Sequence, residues 1–417
     1  MTQPVSADFL PYLNWIDAQQ EAMVADLIRV AEINSGSYHT AGVNQVAETF
    51  AELAAGLGGD VSWHDLPPQQ VVNDKGELTE RPLGRALQIS KRPEAQLRVF
   101  LCGHLDTVFP RDSSFQQVRW LDDNTLNGPG VADLKGGLVL MLRALQAFEN
   151  SPWAEQLGWD ILFNPDEEIG SPGSSALFPY FAERTQVGLL YEPAYADGNL
   201  AGERKGSGNF SVVVRGRAAH AGREHHLGRN AVRALADFTS ALDDLNGQRA
   251  GVTINPGYVT GGGPVNIVPD LAVMKFNIRL EKPEDEDWCW QHIRRLQADI
   301  NSRDGLTLEV HGGFGRKPKV LSPANLKLAE LVRECGQSLG LQLEFKPTGG
   351  CCDGNNLAAC GLPNIDTLGI VGGKIHSHEE YARVDTLAER SKLTALILLR
   401  LATDTDRSWL QPCAGQC

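Results

Sequence analysis

A chain of 417 residues is longer than one ordinary core fills, so it implies two domains, or one domain carrying a large insertion. Charged residues at 22% and hydrophobic ones at 42% describe a globular composition without long disordered tracts. The balance of 38 basic against 52 acidic residues, formally −14, argues against nucleic acid or an anionic membrane as the main partner, and no stretch approaches the ~20 apolar residues of a membrane helix.

The opening MTQPVSADFLPYLNWIDAQQ has no basic segment followed by an apolar run, so no signal peptide is expected and the cytoplasm is the default location. The eight cysteines are scattered apart from Cys351-Cys352, and without a secretion signal they read as free thiols. Residues 12–33 carry apolar side chains at helical spacing, and 41–57 read as a second amphipathic helix. Strand-like and helical pieces then alternate: a strand at Arg98–Leu101, a helix at Gly136–Phe148, and strands at Gly158–Phe163 and Val187–Tyr191. That alternation predicts an α/β layer with a mostly parallel sheet.

The pattern changes near Gly206. A strand (Asn209–Arg215), a helix (Asn230–Leu245), strands at Val252–Val259 and Ala272–Leu280, a helix (Glu284–Ser302) and a strand (Leu306–His311) follow. The order β-α-β-β-α-β is the ferredoxin-like arrangement, and it reads as an insertion. Helical spacing resumes at Ala324–Leu339 and again at Thr386–Leu401, and the tail from Ser408 reads as frayed.

Acids and histidines gather just after predicted strands, where open α/β sheets carry their sites. Arg98–Leu101 runs into Cys102-Gly103-His104-Leu105-Asp106, whose His and Asp, two apart, can point the same way. Asp133 ends a glycine-rich turn before a helix; Asp166-Glu167-Glu168 follow one strand and Glu192 another; His376-Ser377-His378-Glu379-Glu380 comes from far down the chain. Singly, each cluster is more often a solvated loop or a helix cap than a ligand set. Together they place carboxylates where like charges repel in a low-dielectric cleft, and divalent cations are the natural compensation. Imidazole plus carboxylate without clustered thiolates suits zinc, cobalt or manganese.

In that order, these motifs resemble the family of glutamate carboxypeptidase (carboxypeptidase G), acetylornithine deacetylase, succinyl-diaminopimelate desuccinylase and aminoacylase, over nearly the whole chain. The resemblance implies a zinc-exopeptidase-like α/β catalytic domain with a mixed, mostly parallel central sheet. It also implies an inserted ferredoxin-like α+β domain that acts as lid and dimerisation unit, dividing the chain into 1–205, 206–317 and 318–417. By position, two divalent metal ions per subunit, zinc or else cobalt or manganese, would be held by His104 and Glu192 on one side and Glu168 and His376 on the other. Asp133 would bridge them, Asp106 would orient His104, and Glu167 would be the general base. The peptide after the bridging aspartate, Asp133–Leu134, is expected to be cis.

His220, in Arg217-Ala218-Ala219-His220-Ala221-Gly222, resembles the histidine that reaches a partner subunit's site as oxyanion donor, which implies a homodimer. Asn266 and Arg279, on two strand segments, resemble the pair that holds the substrate's α-carboxylate, for which a planar guanidinium is suited. Lys205, at the expected hinge, can add positive charge near the pocket or simply be a solvated linker residue. Cys351-Cys352-Asp353 replaces the family's Gly-Ser-Asp or Gly-Thr-Asp, and the two cysteines read as small fillers.

The expected activity is cleavage of the amide bond of an N-acyl-amino acid or small peptide with a free carboxylate, glutamate-carboxypeptidase-like or else an N-acetyl or N-succinyl deacylase. Two rivals differ in kind: a cysteine hydrolase using Cys102 or Cys352, and a non-catalytic, metal-stabilised binding protein.

Overall fold

A computed structural model describes residues 4–404, 406 and 408–410; the expected fraying of the tail beyond Leu410 lies outside the described residues. The central sheet has six strands in the order Asp60–His64, Ala86–Lys91, Gly158–Asn164, Arg98–His104, Val187–Leu190 and Asn364–Ile365. The last four run parallel to one another; Ala86–Lys91 joins them antiparallel, and Asp60–His64 pairs antiparallel with Ala86–Lys91 at the edge. The two middle strands are buried along their full lengths, as parallel strands covered on both faces must be.

Alternation sorts their side chains. Val99, Leu101, Ile161 and Phe163 enter the larger core, built with the helices Lys135–Glu149 and Asp385–Thr403. Phe100, Cys102 and Leu162 enter a smaller core on the opposite face with Phe178 and Phe181. Burial there pushes the Cys102 thiol well above its ordinary pKa, the reverse of what a nucleophile needs.

A second, antiparallel sheet has the order Thr253–Gly261, Leu271–Leu280, Gly206–Arg215, Thr307–Arg316. Its helices, Ala231–Asp243 and Asp285–Asn301, close a separate core over Met274, Phe276 and Ile278. The two crossings between the sheets run side by side: Arg204 and Lys319 exchange both main-chain hydrogen bonds, at 3.1 and 2.9 Å. Any side chain at Gly206 would strike Pro318, with a Cβ only 2.7 Å from its Cδ, so this approach needs glycine.

Two expectations are corrected, and one stretch without an assigned element gains strands. Residues 12–33 form two helices, Leu10–Asp17 and Gln20–Ala31, because the chain turns at Ala18-Gln19 while both pieces keep their apolar faces on the same core. The strands between 60 and 91, including a hairpin of Gln69–Val72 with Leu78–Arg81, escaped prediction; Asp60–His64 and Leu78–Arg81 are largely exposed and lack the buried run that marks the central strands. Cys360 is disulfide-bonded, whereas Cys102, Cys289, Cys335, Cys351 and Cys352 are free. Pairing depends on Cα proximity in the fold, which scattered spacing does not reveal.

Among the described residues no helix is long and apolar enough to cross a membrane.

Candidate active site

Three neighbouring parallel strands end side by side, and their C-terminal ends deliver the acids. His104 closes Arg98–His104, Glu167 and Glu168 form one turn after Gly158–Asn164, and Glu192 follows Val187–Leu190. Asp133 sits just before the helix Lys135–Glu149, with a cis peptide to Leu134. His376 arrives from a late loop with a positive φ of 63°, rare for a residue other than glycine.

Asp133 lies between the two imidazoles: Oδ1 is 3.2 Å from Nε2 of His104, and Oδ2 is 3.3 Å from Nε2 of His376. Nε2 of His376 is also 3.1 Å from Oε2 of Glu168, and Nε2 of His104 is 4.0 Å from Oε1 of Glu192. Behind His104, Nδ1 lies 2.9 Å from the main-chain carbonyl oxygen of Asp106. That oxygen only accepts, so Nδ1 carries the proton and Nε2 faces the acids. Asp106 in turn accepts from the N–H groups of Glu167 (3.1 Å) and Glu168 (3.2 Å) and from the Ser37 hydroxyl (2.7 Å), locking the turn that holds both glutamates.

Ligand atoms of His104, Asp133 and Glu168 lie within 4.8 Å of one another, as do those of His104, Glu167 and Glu192. Burial first, and then the charge of Asp133, raise the carboxyl of Glu168 to about 8. Burial and then the charge of Glu167 push Glu192 well up. Burial opposes the charge on Asp133, but hydrogen bonds from His104 and His376 hold it below the usual carboxylate range. The same contacts with Asp133 and Glu168 lift His376 to about 11. Carboxyls that hold protons because burial and mutual repulsion penalise their charge mark a cluster short of positive charge. Two imidazoles and hard oxygen donors fit zinc, cobalt or manganese.

The sequence reading missed several neighbours. Nη2 of Arg316 lies 2.8 Å from Oε1 of Glu167 and donates to its carbonyl at 3.0 Å. Glu380, beside His376 in sequence, accepts the N–H groups of Ala132 and Asp133, both at 3.0 Å. Its place in the late histidine motif was the available signal; Arg316, at a strand end, had none.

Arg279 joins the site, lining a cavity of about 1040 Å³ together with Glu167, Glu168, Arg316 and His376. Cys351 is no mere filler: its Sγ accepts from Nη1 of Arg279 at 2.9 Å, with Nη1 of Arg316 at 3.8 Å. Cys352 is buried and caps the helix Asp353–Ala359 by accepting from the N–H of Gly354 at 3.3 Å. Burial pushes its thiol well up, which disfavours it, like Cys102, as a nucleophile.

Other residues stand apart. Asn266 is in the loop before Leu271–Leu280 rather than on a strand, at the end opposite Arg279. Eight residues of strand separate Leu271 from Arg279, about 27 Å at the usual rise, so Asn266 and Arg279 of one subunit cannot grip one carboxylate. Asn266 instead neighbours His220: its carbonyl accepts the N–H of Ala221 at 2.8 Å. His220 is exposed, with Nδ1 accepting from the N–H groups of Gly222 and Arg223, both at 3.2 Å. Lys205 does not line the cavity, and its Nζ lies 3.0 Å from Glu281.

An α/β layer whose strand ends converge acids and imidazoles on one cleft defines a metal-dependent amide hydrolase, a peptidase or deacylase. Residues 100–400 match Peptidase family M20/M25/M40, and the chain belongs to that family. It is 28% identical to carboxypeptidase G2 of Pseudomonas sp. (strain RS-16), over 73% of this chain and 74% of that protein. To succinyl-diaminopimelate desuccinylase of Nitrosococcus oceani it is 27% identical, over 72% and 83%. Among solved structures, an M20 family metallo-carboxypeptidase from Sulfolobus solfataricus superposes with a TM-score of 0.72 at 16% identity, covering 91% of this chain and 99% of that one. Human carnosine dipeptidase 1 superposes at 0.70 with 16% identity, covering 95% and 100%.

Proposed function

We propose that the protein is a two-metal hydrolase that cleaves the amide bond of an N-acyl-amino acid or small peptide bearing a free carboxylate, in the manner of a glutamate carboxypeptidase. The observation that carries this reading is Asp133, whose two oxygens face two different imidazoles. His104, Asp133 and Glu192 would hold one ion, and Asp133, Glu168 and His376 the other. When bound, such a pair of zinc, cobalt or manganese ions polarises the scissile carbonyl and acidifies a water.

The chain's own groups do the rest. Asp106 keeps the Nδ1 proton of His104 in place, so that Nε2 is the donor atom. Glu167 takes the proton of the attacking water on a carboxylate oxygen and hands it to the leaving nitrogen. Its other oxygen, Oε1, is steadied by Arg316. Arg279 meets the substrate carboxylate from the second sheet. Lys205, paired with Glu281, is left out of the binding set.

The reading includes a homodimer with units 1–205, 206–317 and 318–417. Thr253–Gly261 is an edge strand carrying exposed Tyr258 and Val259, beside exposed Val232 of the adjacent helix. A second copy pairing there would bury that patch. His220 and Asn266, remote from their own cleft, would then serve the partner's as oxyanion and substrate donors. A cytoplasmic location is part of the reading, supported by five free thiols among the described residues and opposed by the bonded Cys360.

The test is turnover of a panel of N-acyl-amino acids and dipeptides, each compared with its C-terminal amide, after chelation and after adding back zinc, cobalt or manganese. Cleavage restored by metal and confined to the free acids is expected. Activity after exhaustive chelation, or equal cleavage of the amides, would overturn it.

A further inference from the structure

One face of the second sheet is covered by its helices; the other is graded from end to end. Across the strands Gly206–Arg215 and Leu271–Leu280, the facing pairs Asn209–Asn277 and Ser211–Lys275 are polar, and the next pair, Val213–Val273, is apolar. The apolar end is covered by the hairpin Gln69–Arg81, whose Val72 packs on Val213 and Val273. The hairpin turns tightly: Oδ1 of Asn73 accepts the N–H groups of Lys75 (2.9 Å) and Glu77 (3.0 Å), and Gly76 has a φ of +68°.

The turn is tied down on both sides. Arg215 donates to the carbonyl of Gly76 at 2.7 Å, and the Tyr258 hydroxyl donates to Asp74 at 2.9 Å. On the catalytic side, the Tyr38 hydroxyl donates to Gln69 at 2.8 Å. The hairpin is therefore a strap from the metal-site layer to the second sheet. It closes the far end of the cavity of about 1040 Å³ whose near end holds Glu167 and His376. Ligand pockets generally span about 300–1,000 Å³, so an acetyl group would leave most of this one empty.

Direction follows from the strand. Lys275 and Arg279 lie on the same face, four residues apart, which is about 13 Å of strand. Arg279 sits by Cys351 at the catalytic end, and Lys275 lies toward the hairpin.

We propose that the acyl side of the substrate is extended and polar, running from the scissile bond toward Lys275, with an acceptor oxygen at its far end, and that the hairpin Gln69–Arg81 sets this preference. This rests on the amide-hydrolase reading above. Gln69 and Gln70 from the strap, with Asn209 and Asn277 from the sheet, offer hydrogen bonds along the way, and Lys275 offers a cation at the end. A short or wholly apolar acyl group gives Lys275 no acceptor and adds nothing to the hydrogen bonds that Gln69, Gln70 and Asn277 already make with Tyr38, Glu80 and Asn209.

The test is kcat/KM of the metal-loaded full chain on four derivatives of one amino acid: N-acetyl, N-hexanoyl, N-adipoyl and N-adipamoyl. The last two match hexanoyl in length and end in a carboxylate or a neutral amide. Both are expected to exceed acetyl at least tenfold and hexanoyl at least threefold; adipoyl ahead of adipamoyl would identify the far group as anionic, and the reverse order as a neutral acceptor. Lys275→Ala should lower the adipoyl-to-acetyl ratio at least fivefold, and Arg215→Ala with Tyr258→Phe, which loosens the strap, should lower it too. Should that double variant fail to fold, Lys275→Ala still decides. A flat acyl profile, or equal losses on acetyl and adipoyl in Lys275→Ala, would sink the inference alone. No turnover of any of the four would sink it together with the hydrolase reading.

Discussion

Oδ2 of Asp133 lies 3.3 Å from Nε2 of His376, although the two residues belong to opposite halves of the chain. Its other oxygen faces His104 at 3.2 Å. One carboxylate thus stands between two imidazoles in a cleft where Glu168 and Glu192 hold protons above their ordinary range.

Glu167 is the acid whose loss should separate binding from chemistry. Glu167→Gln keeps the shape of the turn and removes the proton acceptor. Its metal content, measured by atomic emission, should match the unmodified protein, while kcat falls by about 10²–10⁴. Near-normal kcat would remove Glu167 from the role of base, and lost metal would make it a ligand, as its place near His104 and Glu192 allows.

Metal uptake should release protons. In the metal-free chain His376 is lifted to about 11 and Glu168 to about 8, so both hold protons at neutral pH that a cation must displace. Apparent affinity for zinc should therefore climb as pH rises from 5 to about 8. Calorimetric titration in two buffers of different ionisation enthalpy counts the released protons. Identical heats in both buffers would contradict the assignment of these residues as ligands.

Mixed dimers test the exposed loop. His220→Ala and Glu167→Ala proteins should each be nearly inactive alone. Random exchange would then restore one complete site in each heterodimer, about a quarter of all sites. If verified heterodimers stay inactive, His220 does not act across the interface.

Asp366 anchors the crossings between the two sheets. It accepts from Nε and Nη2 of Arg204, both at 2.8 Å, and from Nζ of Lys319 at 2.7 Å. Burial opposes its charge, but Arg204 and then Lys319 hold it down to about 2, below the ordinary 3.8. A depressed carboxylate stabilises the fold above its unfolded pKa, and the contribution, about 2 kcal/mol, disappears as pH falls from about 4 to 2. Asp366→Asn leaves two buried cations without a counter-charge and should cost about 3–5 kcal/mol in urea unfolding near pH 7, with a shallower acid dependence below pH 4. A loss under 1 kcal/mol would show that the network is not structural.

Much of this protein was written locally. Continuous apolar runs marked the buried strands Arg98–His104 and Gly158–Asn164, and acids at their ends marked the cleft, because strand ends and turns follow from neighbours in sequence. The six elements of the second sheet were legible for the same reason.

Partnership across the chain was not. Arg316 on Glu167, Arg279 on Cys351 and the strap over Val213 each join residues far apart in sequence, and no spacing encodes which side chains meet. The same holds for the separation of Asn266 from Arg279, which followed from Asn266 lying in the loop before Leu271–Leu280 and Arg279 near that strand's far end. Residue types and local periodicity determined which elements form and which chemistry is at hand. Only the packing of those elements, a matter of long-range burial and charge compensation, decided which groups share a cleft and how large a substrate it holds.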